Sequence, residues 1–319
     1  MTKTTTKRRC HLAVQPLIEL WLCPLNQLDE CLDHTHSLRT WLSGDEAAKV
    51  DRFRFHHDQI QALYIRCYLR CVLSQYSSLD PQEWQFHLGQ KGKPTLISEQ
   101  YLNTGLSFNI SHSKDHLLIA VCQMKNTSIF LGVDIEHSRS GMDIQAVMNR
   151  YFSAEEIKDL NDLDSDQKNE RFFDLWALKE SYIKATGLGL STPLNRFSFD
   201  FSSALKCALS IDTLTKDFKR DSENESEKLC IETYRGIDIN FGVNSENDTS
   251  NQCFEQIYWQ TCLGRLDEQY RFAVTLGGVV SDMKIKMKHF DSSMLEAMLK
   301  AKLGGHAANK VRERMKTTL

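Results

Sequence analysis

The stretch Ser128-Ile129-Phe130-Leu131-Gly132-Val133-Asp134-Ile135-Glu136 sets apolar Ile129, Leu131, Val133 and Ile135 alternately with Phe130, Gly132, Asp134 and Glu136. Such alternation reads as a strand with one face packed. Asp134 and Glu136 then share the other face, where Gly132 leaves room for something to approach the backbone. Two carboxylates this close repel one another unless a cation lies between them. Mg2+ takes such oxygen ligands together with waters and substrate phosphates. By itself, an Asp-x-Glu pair reads more readily as a solvated strand end.

Outward from that strand, Trp176-Ala177-Leu178-Lys179-Glu180-Ser181-Tyr182-Ile183-Lys184 has helical spacing. Phe172, Phe173, Leu175, Trp176, Leu178, Tyr182 and Ile183 form a broad apolar surface, so the spacing predicts a deeply packed helix. Glu180 and Lys184 lie one turn apart on one face, Trp176 lies one turn earlier, and Lys179 points elsewhere. A lone surface ion pair of this kind is worth about 0.3–0.5 kcal/mol. With Asp134 and Glu136 the pair becomes something else: three carboxylates for a hard divalent cation and an ammonium beside them, suited to a phosphate ester or pyrophosphate. A third segment, Asn109-Ile110-Ser111-His112-Ser113, is preceded by Lys91-Gly92-Lys93-Pro94. Ser, His and Lys beside a tight turn can cradle a phosphate. The Ser-His-Ser triplet is not a catalytic triad, because strand neighbours point to opposite faces.

Taken in order, several motifs resemble the 4'-phosphopantetheinyl transferases of the type that activates surfactin synthetase. They are Lys49-x-x-Arg52-Phe53, Gly92-Lys93-Pro94, Asn109-Ile110-Ser111-His112-Ser113, Gly132-Val133-Asp134-Ile135-Glu136, Tyr151-Phe152-Ser153-x-x-Glu156 and Trp176-x-x-Lys179-Glu180-Ser181-Tyr182-Ile183-Lys184. The resemblance spans about residues 49–199. It implies transfer of the 4'-phosphopantetheine arm of coenzyme A to a serine of an apo acyl or peptidyl carrier protein, with release of 3',5'-ADP. It implies Asp134, Glu136 and Glu180 as Mg2+ ligands and Lys184 beside the pyrophosphate. The catalytic set it implies is Glu180, Lys184 and Asp134, with Glu180 a candidate for the base, directly or through a water; the identity of the base is left open. Coenzyme A contacts fall on Lys49, Arg52, Lys91, Gly92, Lys93, Pro94, Ser111, His112, Lys179 and Lys184. Ile65, before Arg66, stands where the family usually has a small residue and is expected to reshape the nucleotide pocket. The implied fold is α/β (α+β): a pseudo-duplicated, two-lobed monomer, each lobe a small, mainly antiparallel sheet packed on a long helix.

Composition narrows the class. The 319 residues are 41% hydrophobic and 25% charged, with a formal charge of −3. A chain of this length buries one or two ordinary cores. The charge argues against a nucleic-acid partner, and no run of about 18 apolar residues suggests a membrane span. Residues 1–9 lack the apolar stretch of a secretory signal. The ten cysteines form no C-x-x-C pair, which argues against a zinc or redox motif and suits the cytoplasm.

The expected organisation is a disordered lead (1–11), an N-terminal α/β lobe (12–131), a C-terminal α/β lobe (132–282) with the metal site at the interface, and a basic tail (283–319). Helices are expected at 56–76, 144–150, 154–162 and 171–185, with Ser153 as an N-cap answered by Glu156. The polar segments 216–228 and 244–252 are expected as loops. In the tail, nine basic and three acidic residues give +6. The tail reads either as a partly ordered, solubilising basic segment or, through the stripe Met294, Leu295, Met298 and Leu299, as a docking element for an acidic carrier. Two other functions fit parts of the chemistry. One is a non-catalytic coenzyme A-binding or carrier-docking protein; the other is an Mg2+-dependent nucleotide pyrophosphatase.

Overall fold

The computed structural model describes residues 15–138, 143–213, 229–242, 252–290 and 292–303. The lead 1–11, the loop 216–228, all but the last residue of the loop 244–252, and the tail beyond 303 lie outside them.

The N-terminal half begins with β1 (Leu17–Pro24), followed by α1 (Leu32–Arg39), α2 (Gly44–Asp51) and α3 (His56–Leu73). Ser43 caps α2 in a capping box with Glu46, which satisfies two of the amides that a helix start leaves bare. Then come β2 (Phe86–Leu88), β3 (Pro94–Leu96), α4 (Ser98–Thr104), β4 (Leu106–Ser113) and β5 (His116–Gln123). Strands β4, β5 and β1 pair antiparallel in that order. Their outward residues Phe108, Ile119, Val121 and Trp21 form one core with Leu63, Tyr64, Tyr68 and Val72 of α3.

The second half repeats the scheme. It contains β6 (Phe130–His137), α5 (Ile144–Tyr151), α6 (Ala154–Asn161) and α7 (Ser165–Thr186). There follow β7 (Phe197–Asp200), β8 (Leu205–Thr213), β9 (Leu229–Arg235), β10 (Asp238–Phe241), α8 (Gln252–Glu255), β11 (Trp259–Arg265) and β12 (Tyr270–Gly277). Strands β6, β12 and β11 pair antiparallel, and α7 packs over them through Phe173, Ala177, Leu178 and Tyr182. Ser153 caps α6 with Glu156 in the expected capping box. Helix α7 starts at Ser165, earlier than its apolar spacing predicts, because Asp164 caps it by accepting from the Gln167 amide at 2.9 Å.

The basic tail is a correction. Its first part is β13 (Lys284–His289), inserted parallel between β1 and β8. Lys288 is buried there and pairs with Glu19 at 2.6 Å. The chain then forms α9 (Ser292–Leu303), whose Met294 and Leu295 are buried in the α3 core, with Met298 and Leu299 packed against it. The stripe offered as a docking face is thus used inside the fold.

Through β13, β8 and β9 the two lobes share one nine-stranded sheet, ordered β4-β5-β1-β13-β8-β9-β11-β12-β6. It curls so that inward residues from all along it, such as Leu118, Ile18, Met287, Leu209, Ile231, Val274 and Val133, meet in one core. The two edge strands, β4 and β6, come to face each other. Among the described residues, no helix is long and apolar enough to cross a membrane.

Candidate active site

The candidate site lies where edge strand β6 meets α7. Val133 and Ile135 are buried in the central core, so the intervening Asp134 and Glu136 face the helix side, as strand alternation requires. What approaches Gly132 is α7 itself: a Cβ there would lie 1.9 Å from the Ser181 carbonyl oxygen and 2.4 Å from the Ala185 nitrogen. Among its buried neighbours on α7, the half-exposed residues Trp176, Glu180 and Lys184 recur every fourth position, forming one stripe beside the two strand carboxylates. Gly187, at φ +75°, ends the helix in the left-handed conformation, its N–H donating to the Ile183 carbonyl at 2.9 Å.

Lys184 Nζ donates to Asp134 Oδ1 at 2.5 Å and to Ser111 Oγ of β4 at 2.7 Å. Ser111 Oγ donates to the same Asp134 oxygen at 2.8 Å. Trp176 Nε1 donates to Glu136 Oε1 at 3.2 Å. Burial pushes the Asp134 carboxyl upward against the pull of Lys184 and Ser111. Glu136 is pushed up to about 7 by burial, with repulsion from Asp134 and Glu180 added. Glu180 is pushed up to about 7 by burial and then by Asp134. Such mutual repulsion marks a cluster that gathers negative charge without enough positive charge to balance it.

The donor set suits a hard cation. Asp134 Oδ2 is buried with no hydrogen-bond partner among the described residues, and an oxygen in that position is costly unless something answers it. Among the described residues, no three His, Cys, Asp or Glu side chains are grouped so as to hold a metal ion. An ion held here would complete its shell with water and substrate oxygens, the habit of Mg2+.

Beside this cluster opens a cavity of about 1250 Å³ on the N-terminal lobe. Lys49, Arg52, Arg66, Gly92, Pro94 and His112 line it, over an apolar wall that includes Ile65, Leu69 and Trp84. Ile65, flagged by the sequence, is thus part of that wall. His112 joins cavity to cluster: burial and the Lys184 charge lower its imidazole pKa, while Asp134 raises it.

Three expected coenzyme A contacts sit elsewhere. Lys179 is fully buried. Its ammonium is taken up by Glu156 at 2.8 Å and by the Leu194 and Phe197 carbonyls, each at 2.8 Å, so it is an internal tie between α7 and α6. Lys93 donates to the Leu131 and Ala185 carbonyls, both at 3.0 Å, and does not line the cavity. Burial lowers it to about 8, and its ammonium complements the carbonyl end of α7. Lys91 lies against the turn at Gly189. The sequence reading missed Trp176 as the partner of Glu136, and Asn109 and Ser113 of β4 as acceptors for main-chain N–H groups of β6. Trp176 carried a signal, since it stands one turn before Glu180.

The arrangement suits an enzyme that positions a phosphorylated substrate with carboxylates and cations. Comparison with known proteins narrows that class. Residues 31–124 match the family model for the N-terminal region of 4'-phosphopantetheinyl transferases, and residues 130–240 match that of the 4'-phosphopantetheinyl transferase superfamily. The chain is 34% identical over 174 residues to the 4'-phosphopantetheinyl transferase HetI of Nostoc sp., which covers 54% of this chain and 70% of that protein. It is 31% identical over 175 residues to the 4'-phosphopantetheinyl transferase Sfp of Bacillus subtilis, covering 55% and 71%. It is 28% identical over 193 residues to the L-aminoadipate-semialdehyde dehydrogenase-phosphopantetheinyl transferase of Xenopus laevis, covering 59% and 62%. The chain belongs to the 4'-phosphopantetheinyl transferase superfamily. It is an enzyme that transfers phosphopantetheine to carrier proteins.

Proposed function

We propose that this chain moves the 4'-phosphopantetheine arm of coenzyme A onto a serine of an apo acyl or peptidyl carrier protein, with Mg2+, at the meeting of residues 12–131 and 132–282. The serine oxygen attacks the phosphorus that bears pantetheine, the bond from that phosphorus to the bridging oxygen breaks, and 3',5'-ADP leaves. Asp134, Glu136 and Glu180 would hold Mg2+, which when bound supplies neutralisation of the pyrophosphate charge. Lys184 stabilises the charge that grows on the leaving phosphate. Glu180 takes the serine proton directly or through a water. Lys49, Arg52 and His112 bind the nucleotide end in the cavity. Ser111 orients Lys184. We assign the enzyme to the cytoplasm as a monomer: the described cysteines are free thiols, and the two lobes of one chain supply both cavity and carboxylates.

The observation that carries this reading is the carboxylate cluster with Lys184, set against a cavity lined by Lys49, Arg52, Arg66 and His112. The test is to incubate the protein with coenzyme A, Mg2+ and several apo carriers and to weigh the carriers. The expected result is a gain of one phosphopantetheine arm, lost in Asp134→Ala, Glu136→Ala and Glu180→Ala. Lys49→Ala and Arg52→Ala should raise the coenzyme A KM with little change in kcat, the mark of lost uniform binding. Two carboxylate variants with wild-type turnover would overturn the assignment.

A further inference from the structure

Edge strands β4 and β6 face each other, yet the ladder of the sheet does not run between them. Side chains of β4 do the joining. Asn109 Oδ1 accepts the Val133 N–H at 2.8 Å, and Ser113 Oγ accepts the His137 N–H at 3.2 Å. Between them, Ser111 Oγ donates to Asp134 Oδ1 at 2.8 Å. Asn109, Ser111 and Ser113 are alternate residues on one face of one strand, all buried. Both backbone links carry the same offset of 24 residues, so the strands run parallel in one register. One step earlier, Lys93 Nζ donates to the Leu131 carbonyl and also to the Ala185 carbonyl of α7. Leu131, Val133 and His137 are alternate residues of β6, whose main-chain groups point to the same edge.

An ordinary parallel pair is held by evenly spaced backbone bonds. Here three main-chain groups on the edge of β6, which would be costly to bury unmet, are met by three side chains of the other lobe. The position of Asp134 relative to Lys184 and Ser111 therefore depends on side chains that touch neither substrate nor ion. We propose that Asn109, Ser113 and Lys93 are positioning residues for the transfer reaction, acting through β6 to hold Asp134 in place opposite Lys184 and Ser111. This rests on the transferase reading of the same site. It also gives Lys93 a role other than phosphate contact. The cavity residues Lys49, Arg52 and His112 belong to the N-terminal lobe, so loosening the seam should affect the chemical step and spare coenzyme A binding.

The test uses the full chain with Ser113→Ala, Ser113→Thr, Asn109→Ala and Lys93→Met. A displacement of about 1 Å at a reacting centre can cost on the order of a hundredfold in rate. Ser113→Ala, Asn109→Ala and Lys93→Met should lower kcat roughly tenfold to a hundredfold. Their coenzyme A KM should stay within about twofold, as expected when ground-state binding is intact. Ser113→Thr keeps the accepting hydroxyl and should restore kcat. Amide hydrogen exchange, read without substrate, should speed up at His137 in Ser113→Ala and at Val133 in Asn109→Ala, with β1 and β5 unchanged. The proposal is overturned by wild-type kcat in Ser113→Ala and Asn109→Ala, by Ser113→Thr failing as Ser113→Ala does, or by exchange rising evenly across all strands. A raised coenzyme A KM at unchanged kcat in Lys93→Met would return Lys93 to the phosphate site and remove it from the seam. If the wild type modified no carrier, the transferase reading would fail, while the exchange data would still report whether these side chains hold β6.

Discussion

Gly132→Ala isolates the packing contact that sets the site. The added Cβ would stand 1.9 Å from the Ser181 carbonyl oxygen and 2.4 Å from the Ala185 nitrogen, whereas ordinary contact begins near 3.4 Å. Both obstacles are helix backbone, so α7 must retreat from β6 by about 1.5 Å or the strand must give way. Overpacking of this kind costs about 1–3 kcal/mol. The retreat carries Glu180 and Lys184 away from Asp134, and misplacement on that scale costs about a hundredfold in turnover. The assay pairs kcat, at saturating coenzyme A and carrier, with the melting temperature. Gly44→Ala, where nothing lies within 4 Å of the new methyl, is the matched control and should leave both unchanged. Wild-type kcat in Gly132→Ala would refute the claim that the β6–α7 approach places the carboxylates and lysine.

Lys179→Ala should lose about 3–5 kcal/mol of stability by leaving Glu156 buried and unpaired, seen as a large fall in urea midpoint with the site carboxylates untouched; Lys184→Ala leaves buried Asp134 without its ammonium and should lower both midpoint and turnover. Burial raises Glu180 to about 7, so without metal the folded state binds its proton more tightly than the unfolded state does. That group's contribution to stability therefore falls as pH rises from about 4.5 to about 7. Glu180→Gln should accordingly gain on the wild type in urea midpoint between pH 5 and 7.5 (roughly the window of the shift), and a constant difference would contradict the burial. Truncation after Val280 should give insoluble protein, because it removes β13 from within the sheet and the buried Met294 and Leu295 from the α3 core. A soluble, active product would refute that.

Much of the chain could be read locally. The alternation around Asp134, the helical spacing from Phe172 to Lys184, the Ser153 cap and the glycine stop at Gly187 each encode their structure within a few residues, where backbone periodicity and capping chemistry act. That was enough to place Asp134, Glu136, Glu180 and Lys184 in elements that could meet. It was not enough for Lys179 and Lys184, which carry the same charge on the same helix. Only the packing decides that one ammonium is sealed against Glu156 and two carbonyls while the other faces Asp134. Lys93 likewise reads as a turn lysine until α7 and β6 bring two carbonyls to it. The segment Lys284–His289 carries lysines at every second position, and its charge masked a strand. The neighbours that make it one, β1 and β8, are distant in sequence, and Glu19 on β1 takes the charge of Lys288. The sequence by itself determined which residues could do chemistry and on what local element each stood, because periodicity and capping are short-range. The tertiary structure alone decided which charges are spent internally and which face the site, because burial and pairing depend on segments that only the fold brings together.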